Sequence, residues 1–322
     1  MDSISQAALG AAVGEAILGK KLGRKAGFAG AILGTIPDLD VLITPLFNSF
    51  DRISIHRGYS HSILFCIVGA FLAAYIMDRI KWTKAATYWR LWLFAFCALF
   101  THVLLDAFTS YGTQLFLPFT NWRVSLDSIS IIDPVYTIPL IIGVVASMYF
   151  IKSDHPRRGL PNTLGLIISS LYLMFTLANK QHVESVMAHQ LQEQKTPFYQ
   201  MLTVPVSIGN TEWYGVVKDD SLLYLGKYSI LKKNKIDFTA FPINEHLLDE
   251  MNPKVAERLK WFAQDFYTVA KYDGKIRLYN MQCDMQGVRH FGDYVAPTAF
   301  YYEYEKGIGE DYELGAGMHP AE

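Results

Sequence analysis

The stretch Leu99-Phe100-Thr101-His102-Val103-Leu104-Leu105-Asp106-Ala107-Phe108-Thr109-Ser110-Tyr111-Gly112 decides how the first half of the chain is read. It is an apolar helix carrying two ionisable side chains four positions apart. That spacing puts His102 and Asp106 on one helix face with Cβ atoms roughly 5–6 Å apart, close enough to share one metal ion. Two further clusters precede it, Pro37-Asp38-Leu39-Asp40 and His56-Arg57-Gly58-Tyr59-Ser60-His61-Ser62. Ionisable groups near a membrane are costly and usually functional, so the three clusters are expected to converge on one metal site. The competing reading makes each a separately satisfied polar group between helices.

Length and charge set the frame. A chain of 322 residues is long enough for two domains. Its net charge of −1 gives no electrostatic footprint for nucleic acid. Long apolar runs fill residues 1–180, whereas 181–322 read as a soluble domain. Cys66 and Cys97 lie in apolar helices and Cys283 stands alone, so neither a disulfide framework nor a Cys-based zinc motif is expected. The N-terminus lacks the basic start of a cleavable signal.

Residues 4–19 and 26–36 predict two short helices carrying Gly10-x3-Gly14 and Gly30-x3-Gly34, a spacing that lets helix backbones approach closely in lipid. Neither comfortably spans ~30 Å of hydrocarbon, so a thin crossing or a dipping hairpin is expected. Glu15 is expected to be satisfied by the basic turn Lys20–Lys25, or else to be a buried functional carboxylate. The runs 62–77, 91–108, 135–151 and 163–178 are the better spanning candidates, short enough to need tilt or bilayer thinning. Ser60 or Ser62 can cap the first of them, and Asp133 before Pro134 reads as an N-cap rather than a ligand. With six crossings, the basic loops at 20–25, 79–90 and 152–158 share one side, which the positive-inside rule makes cytoplasmic. The loops at 37–61 and 109–133 and the C-terminal domain would then face outward.

After an amphipathic connector at 181–195, strands are expected at 201–208, 212–217, 222–230, 267–271, 275–279 and 299–304, with one helix at 253–264. Asp273-Gly274 reads as a tight hairpin turn. His182, His189, His246 and His290 have no ligand spacing and read as surface histidines.

Asp38, Asp40, His56, His61, His102 and Asp106 offer nitrogen and oxygen ligands and no sulfur, a set suited to zinc, manganese or iron. Six are more than one zinc needs, so two ions are also accommodated. Such a centre lowers the pKa of bound water to around 7 and clamps both oxygens of a displacement. Arg57, always charged, could grip a phosphate or carboxylate with two parallel hydrogen bonds. Pairing with Asp51 or a lipid headgroup would equally account for it. A serine triad at Ser60-His61 is disfavoured, because no Gly-x-Ser-x-Gly elbow accompanies it.

At these residues the chain resembles the YdjM-like family of inner-membrane metal-dependent hydrolases, described as LexA-regulated. The resemblance rests on Gly27–Asp40 with its Pro-Asp-Leu-Asp ending, on His56 through Ser62, and on Thr101-His102 through Asp106 followed by Pro118-Phe119. It covers about residues 1–150. The family is distantly similar to zinc-dependent phospholipase C and related zinc nucleases, which implies a phosphoester substrate by fold-level analogy. Relatives carry a histidine near the N-terminus, where this chain offers Gln6.

The expectation is therefore a mainly α-helical polytopic membrane domain of about six short helices (1–180), followed by a soluble α+β accessory domain (181–322). Its function would be metal-dependent hydrolysis of a lipid or other phosphoester at the outer face of the inner membrane. Arg57 and Asp40 would be the catalytic side chains, Arg57 as substrate clamp and Asp40 as base. The alternative is a non-enzymatic membrane protein with a structural or sensory metal and a partner-binding C-terminal domain.

Overall fold

Helix α1 (Ser3–Leu22) begins where Asp2 accepts the backbone N–H groups of Ile4 and Ser5. It ends at Gly23, whose φ of 61° turns the chain directly into α2 (Arg24–Leu33). In this computed structural model, residues 1–152, 155–282, 288–291, 294–307 and 311–318 are described. The two helices touch along the glycine stripe the sequence predicts. A Cβ on Gly10 would lie 2.2 Å from the Gly30 carbonyl oxygen, and one on Gly30 would lie 2.0 Å from that of Gly10. Only hydrogen fits at either position.

A short α3 (Ser49–Ile55) precedes α4 (Ile63–Met77), whose first turn is capped by Ser62 Oγ accepting from Phe65 N–H at 3.0 Å. Packed against it is α5 (Tyr88–Ala107), whose buried Leu91, Phe94, Ala95 and Ala98 share a core with Ala12 and Leu18 of α1. Helix α6 (Pro134–Val145) opens at Asp133, whose carboxylate accepts from Val135 N–H at 3.0 Å, the expected cap. A π-helical turn, Ala146–Phe150, extends it. The core that α1, α4, α5 and α6 build here also receives Leu166, Tyr172 and Leu173 of α7 (Leu160–Glu193).

Glu15 meets a different partner from the one expected. It is buried against Arg158, with Nε to Oε1 at 2.7 Å and Nη2 to Oε2 at 3.0 Å. The basic residue comes from the 152–158 loop, brought over by tertiary packing rather than by the neighbouring turn.

Among the described residues, length and apolar composition qualify two helices to cross a membrane, α5 and α7. The number becomes four if two bent pairs each count as one span: α2 with Pro37–Leu46, bent by 44°, and Ser49–His61 with α4, bent by 55°. The apolar helix Pro134–Phe150 is shorter and stands outside that count. Helix α7 runs on past residue 178, where the fourth apolar run was expected to end. Neither Gly nor Pro occurs between Gly165 and Pro197, so nothing stops the helix and the predicted connector is its second half. The first half turns Leu164, Ile168, Leu171 and Phe175 outward, as a lipid-facing helix does.

The second compact unit comprises residues from Ala178 onward together with Phe47–Ser54. Strands β1 (Gln200–Pro205), β2 (Glu212–Lys218), β3 (Leu222–Ser229) and β4 (Thr239–Pro242) form one antiparallel sheet in that order. Helix α8 (Pro253–Phe262) follows. Strands β5 (Tyr267–Tyr272) and β6 (Lys275–Asn280) are joined by Asp273-Gly274, both with positive φ, which is the expected tight hairpin. After a small β7 (Arg289–Phe291) and β8 (Tyr294–Ala296) ribbon come β9 (Phe300–Lys306) and β10 (Tyr312–Met318). The second sheet runs β10-β9-β6-β5. Val183 and Met187 of α7 join Trp213, Tyr228 and Ile236 in the core of the first sheet. A Cβ on Gly215 would lie 2.3 Å from Met187 Sδ, so the bare strand there makes room for the helix. Strands β4, β7, β8 and β10 were not expected; they are short, or rich in glycine like β10. Cys283 lies outside the described residues.

Candidate metal centre

Three local structures deliver the polar side chains. A 3₁₀ turn, Pro37–Leu42, follows α2 and carries Asp38 and Asp40. A second, Tyr59–His61, carries His61 immediately before the Ser62 cap of α4. His102 and Asp106 stand one turn apart near the end of α5.

Four of the six expected ligands come together. Ligand atoms of Asp38, His61, His102 and Asp106 all lie within 4.8 Å of one another. His61 Nε2 is 3.2 Å from His102 Nε2, 3.4 Å from Asp38 Oδ1 and 3.3 Å from Asp106 Oδ2. His102 Nε2 is 3.5 Å from Asp38 Oδ1 and 3.7 Å from Asp106 Oδ2. A tetrahedral zinc with bonds of about 2.0–2.1 Å would hold its ligands about 3.3 Å apart. These five separations, 3.2–3.7 Å, are close to that spacing.

The surroundings fit as well. His102 Nδ1 donates to the Gly34 carbonyl at 2.6 Å, which leaves Nε2 as the lone-pair nitrogen facing the cluster. His61 Nδ1 faces Ser60 Oγ at 2.9 Å, and Ser60 donates onward to Asp40 Oδ2 at 2.8 Å. This fixes the same tautomer at His61. Asp106 Oδ2 is buried without a well-directed hydrogen bond, although Arg57 Nε lies 3.0 Å away. A carboxylate oxygen left in that state is suited to a cation.

Asp40 and His56 stand outside the four. Asp40 accepts from the Arg57 backbone N–H at 3.1 Å and from Ser60, and its Oδ1 lies 3.0 Å from His56 Nδ1. Its oxygens hold the His56–His61 segment, and Asp40 is not one of the four clustered residues. Among the described residues this is the one cluster of its kind. Ser60 belongs to this support, while Ser62 is the cap.

Arg57 is also placed differently from the expected substrate clamp. It is buried, with φ of 57°, and Nη1 donates to the Asp106 carbonyl at 3.2 Å and to Thr109 Oγ1 at 2.7 Å. Its guanidinium sits 5.0 Å from the Tyr111 ring centroid. The side chain closes the back of the cluster rather than opening onto solvent or Asp51.

Gln6, which stands where relatives carry a histidine, reaches the cluster: its Nε2 donates to Asp106 Oδ1 at 2.9 Å and to the His102 carbonyl at 3.2 Å. The Met1 amine is paired with the same carboxylate oxygen. The clue was Gln6 on the small-residue face of α1, the face that meets the rest of the core.

Known proteins resemble part of this chain. "Inner membrane protein YbcI" of Escherichia coli (strain K12) is 35% identical over 109 residues, which are 34% of this chain and 61% of that protein. "Uncharacterized protein YfhP" of Bacillus subtilis (strain 168) is 34% identical over 98 residues, 30% of this chain and 29% of that one. The chain thus spans less than two thirds of either relative's length. No solved structure matches. The sequence profile of the YdjM inner membrane protein matches residues 1–183, more than half of the chain and every member of the cluster, so the chain belongs to the YdjM inner membrane protein family.

Proposed function

We propose that this protein is an inner-membrane, metal-dependent hydrolase acting on a phosphoester or lipid-type ester, with Asp38, His61, His102 and Asp106 as ligands of one zinc ion. The observation that carries the reading is the uneven burial of the four. The side chains of His61, His102 and Asp106 are sealed at 0–1% exposure, whereas that of Asp38 is 23% exposed. The cluster thus has one accessible edge, where a reacting group can approach.

A divalent ion held there would supply Lewis acidity and activate water near neutral pH. The chain's own groups do the rest. Gly34 and Ser60 set the two imidazole tautomers, Gln6 and Arg57 fix the Asp106 carboxylate, and the Asp40–His56 pair holds the segment that delivers His61. Arg57 and Asp40 are positioning residues in this account.

One observation favours a second reading, a structural or sensory metal. Four protein ligand atoms within 4.8 Å of one another are enough to saturate a zinc ion, as closed structural sites do. On that reading Asp38, the most exposed of the four, would have to leave room for a reacting group before any turnover. The test is hydrolysis of phosphomonoesters, phosphodiesters and lipid esters by purified full-length protein, metal-free and zinc-loaded. Zinc-dependent turnover that is lost in His61→Ala supports the hydrolase. Stoichiometric zinc with no turnover on any of these classes supports the second reading.

A further inference from the structure

The turn that carries Asp38 and Asp40 continues as an inside-out segment. Asp40 and Pro37 are its buried residues, while Leu39, Val41, Leu42 and Leu46 point outward, Leu42 at 73% and Leu46 at 82% exposure. In a water-soluble turn this order would be reversed, because apolar side chains are the ones that gain from leaving water. The same segment, joined to α2 across a 44° bend, is apolar enough to count as a membrane span.

A second loop shows the same character and is tied to the metal-site segment by backbone hydrogen bonds. Gln114 N–H donates to the Arg57 carbonyl at 3.1 Å, and Ile63 N–H donates to the Leu115 carbonyl at 2.9 Å. From that anchor the loop holds out Phe116, Phe119 at 86% exposure, and Trp122, with Phe116 and Trp122 stacked at 5.9 Å. Exposed Phe and Trp beside apolar helices are what a membrane interface selects. Helix α4 carries the apolar surface onward through exposed Val68 and Leu72. Backbone irregularity at membrane depth is tolerated where it lines a cavity, and both bends of the helix pairs fall next to cluster residues, Asp38 and His61.

We infer that Leu39–Leu46 and the Phe116–Trp122 loop insert into the hydrocarbon edge of the bilayer, so that the Asp38 edge of the centre is reached from lipid. Resting on the hydrolase reading, the substrate is then an ester of a bilayer-resident amphiphile, cleaved at headgroup depth. A free water-soluble ester is the poorer substrate.

Two arms test this with the full-length protein in phosphatidylcholine–phosphatidylglycerol vesicles. First, the vesicles carry a phosphatidylcholine with a diazirine midway along its acyl chain, and photolabelled peptides are mapped by mass spectrometry. Label on residues 39–46 and 116–122, at yields like those of α4, is expected; label on α4 and α7 with none on the two loops overturns insertion. Second, the rate on a vesicle-borne phosphoester is divided by that on a short-chain soluble one. Leu42→Ser combined with Leu46→Ser should lower this ratio by about tenfold or more, since two exposed aliphatic contacts with lipid are lost, with zinc content as the folding control. An unchanged ratio overturns the substrate class. If the wild type cleaves neither ester, the hydrolase reading and the substrate class fall together, and the labelling still decides insertion.

Discussion

Asp38 and Asp40 are two positions apart and do different work, because Asp38 faces two imidazoles and Asp40 faces a backbone N–H, a serine and His56. Their spacing alone could not separate them, since in a 3₁₀ turn neither a helical nor a strand period dictates which side chain faces inward. His102 and Asp106 were legible because four residues along an α-helix means one face. The Gly34 carbonyl was illegible because it reaches the site through the α1–α2 approach, which leaves no local signature. At this scale the Glu15–Arg158 pair gives a sharp prediction. Both side chains are 1% exposed, so Glu15→Ala or Arg158→Ala leaves an uncompensated buried charge and should cost about 3–5 kcal/mol. The double variant should cost clearly less than the sum of the two. Thermal unfolding in detergent measures all three, and additive losses would contradict the pairing.

The α1–α2 hairpin is the element on which the centre is built. Gly34, the residue after α2, holds His102, so a wedge between the two helices should be felt at the metal. Gly30→Val puts a side chain where 2.0 Å separates the first added carbon from the Gly10 carbonyl oxygen. The variant should lose both stability and zinc, whereas Gly159→Ala, with nothing within 4 Å of the new carbon, should stay within about 0.5 kcal/mol of wild type. Unfolding midpoints and zinc per chain, measured side by side, check this; full zinc in Gly30→Val would separate hairpin from centre. Element types were largely readable: the paired glycines, the Asp133 and Ser62 caps and the Asp273-Gly274 hairpin all follow local chemistry. The length of α7 was missed because a change from apolar to charged composition looks like a boundary, although no residue there breaks a helix.

For the whole molecule, the division into a helical membrane half and a sheet-rich second unit follows the shift in hydropathy along the chain. The inclusion of Phe47–Ser54 in the second unit was hidden, since only tertiary contacts reveal it: Arg258 donates to Ser54 Oγ at 2.5 Å and lies 4.4 Å from the Phe50 ring centroid. If α6 crosses as well, the basic loops at 20–25, 79–90 and 152–158 share one side, and the positive-inside rule predicts the second unit outside the cytoplasm. Alkaline phosphatase fused after residue 200 should then be active, and a fluorescent green fluorescent protein fusion at that point would reverse the orientation.

The central claim is that four side chains, and not six, hold one ion. Zinc per chain in the purified full-length protein tests it most directly. About one ion is expected in the wild type, with strong loss in Asp38→Ala, His61→Ala, His102→Ala and Asp106→Ala, and with the ion kept in His56→Ala. No zinc in the wild type, or equal retention in His102→Ala and His56→Ala, would contradict the account.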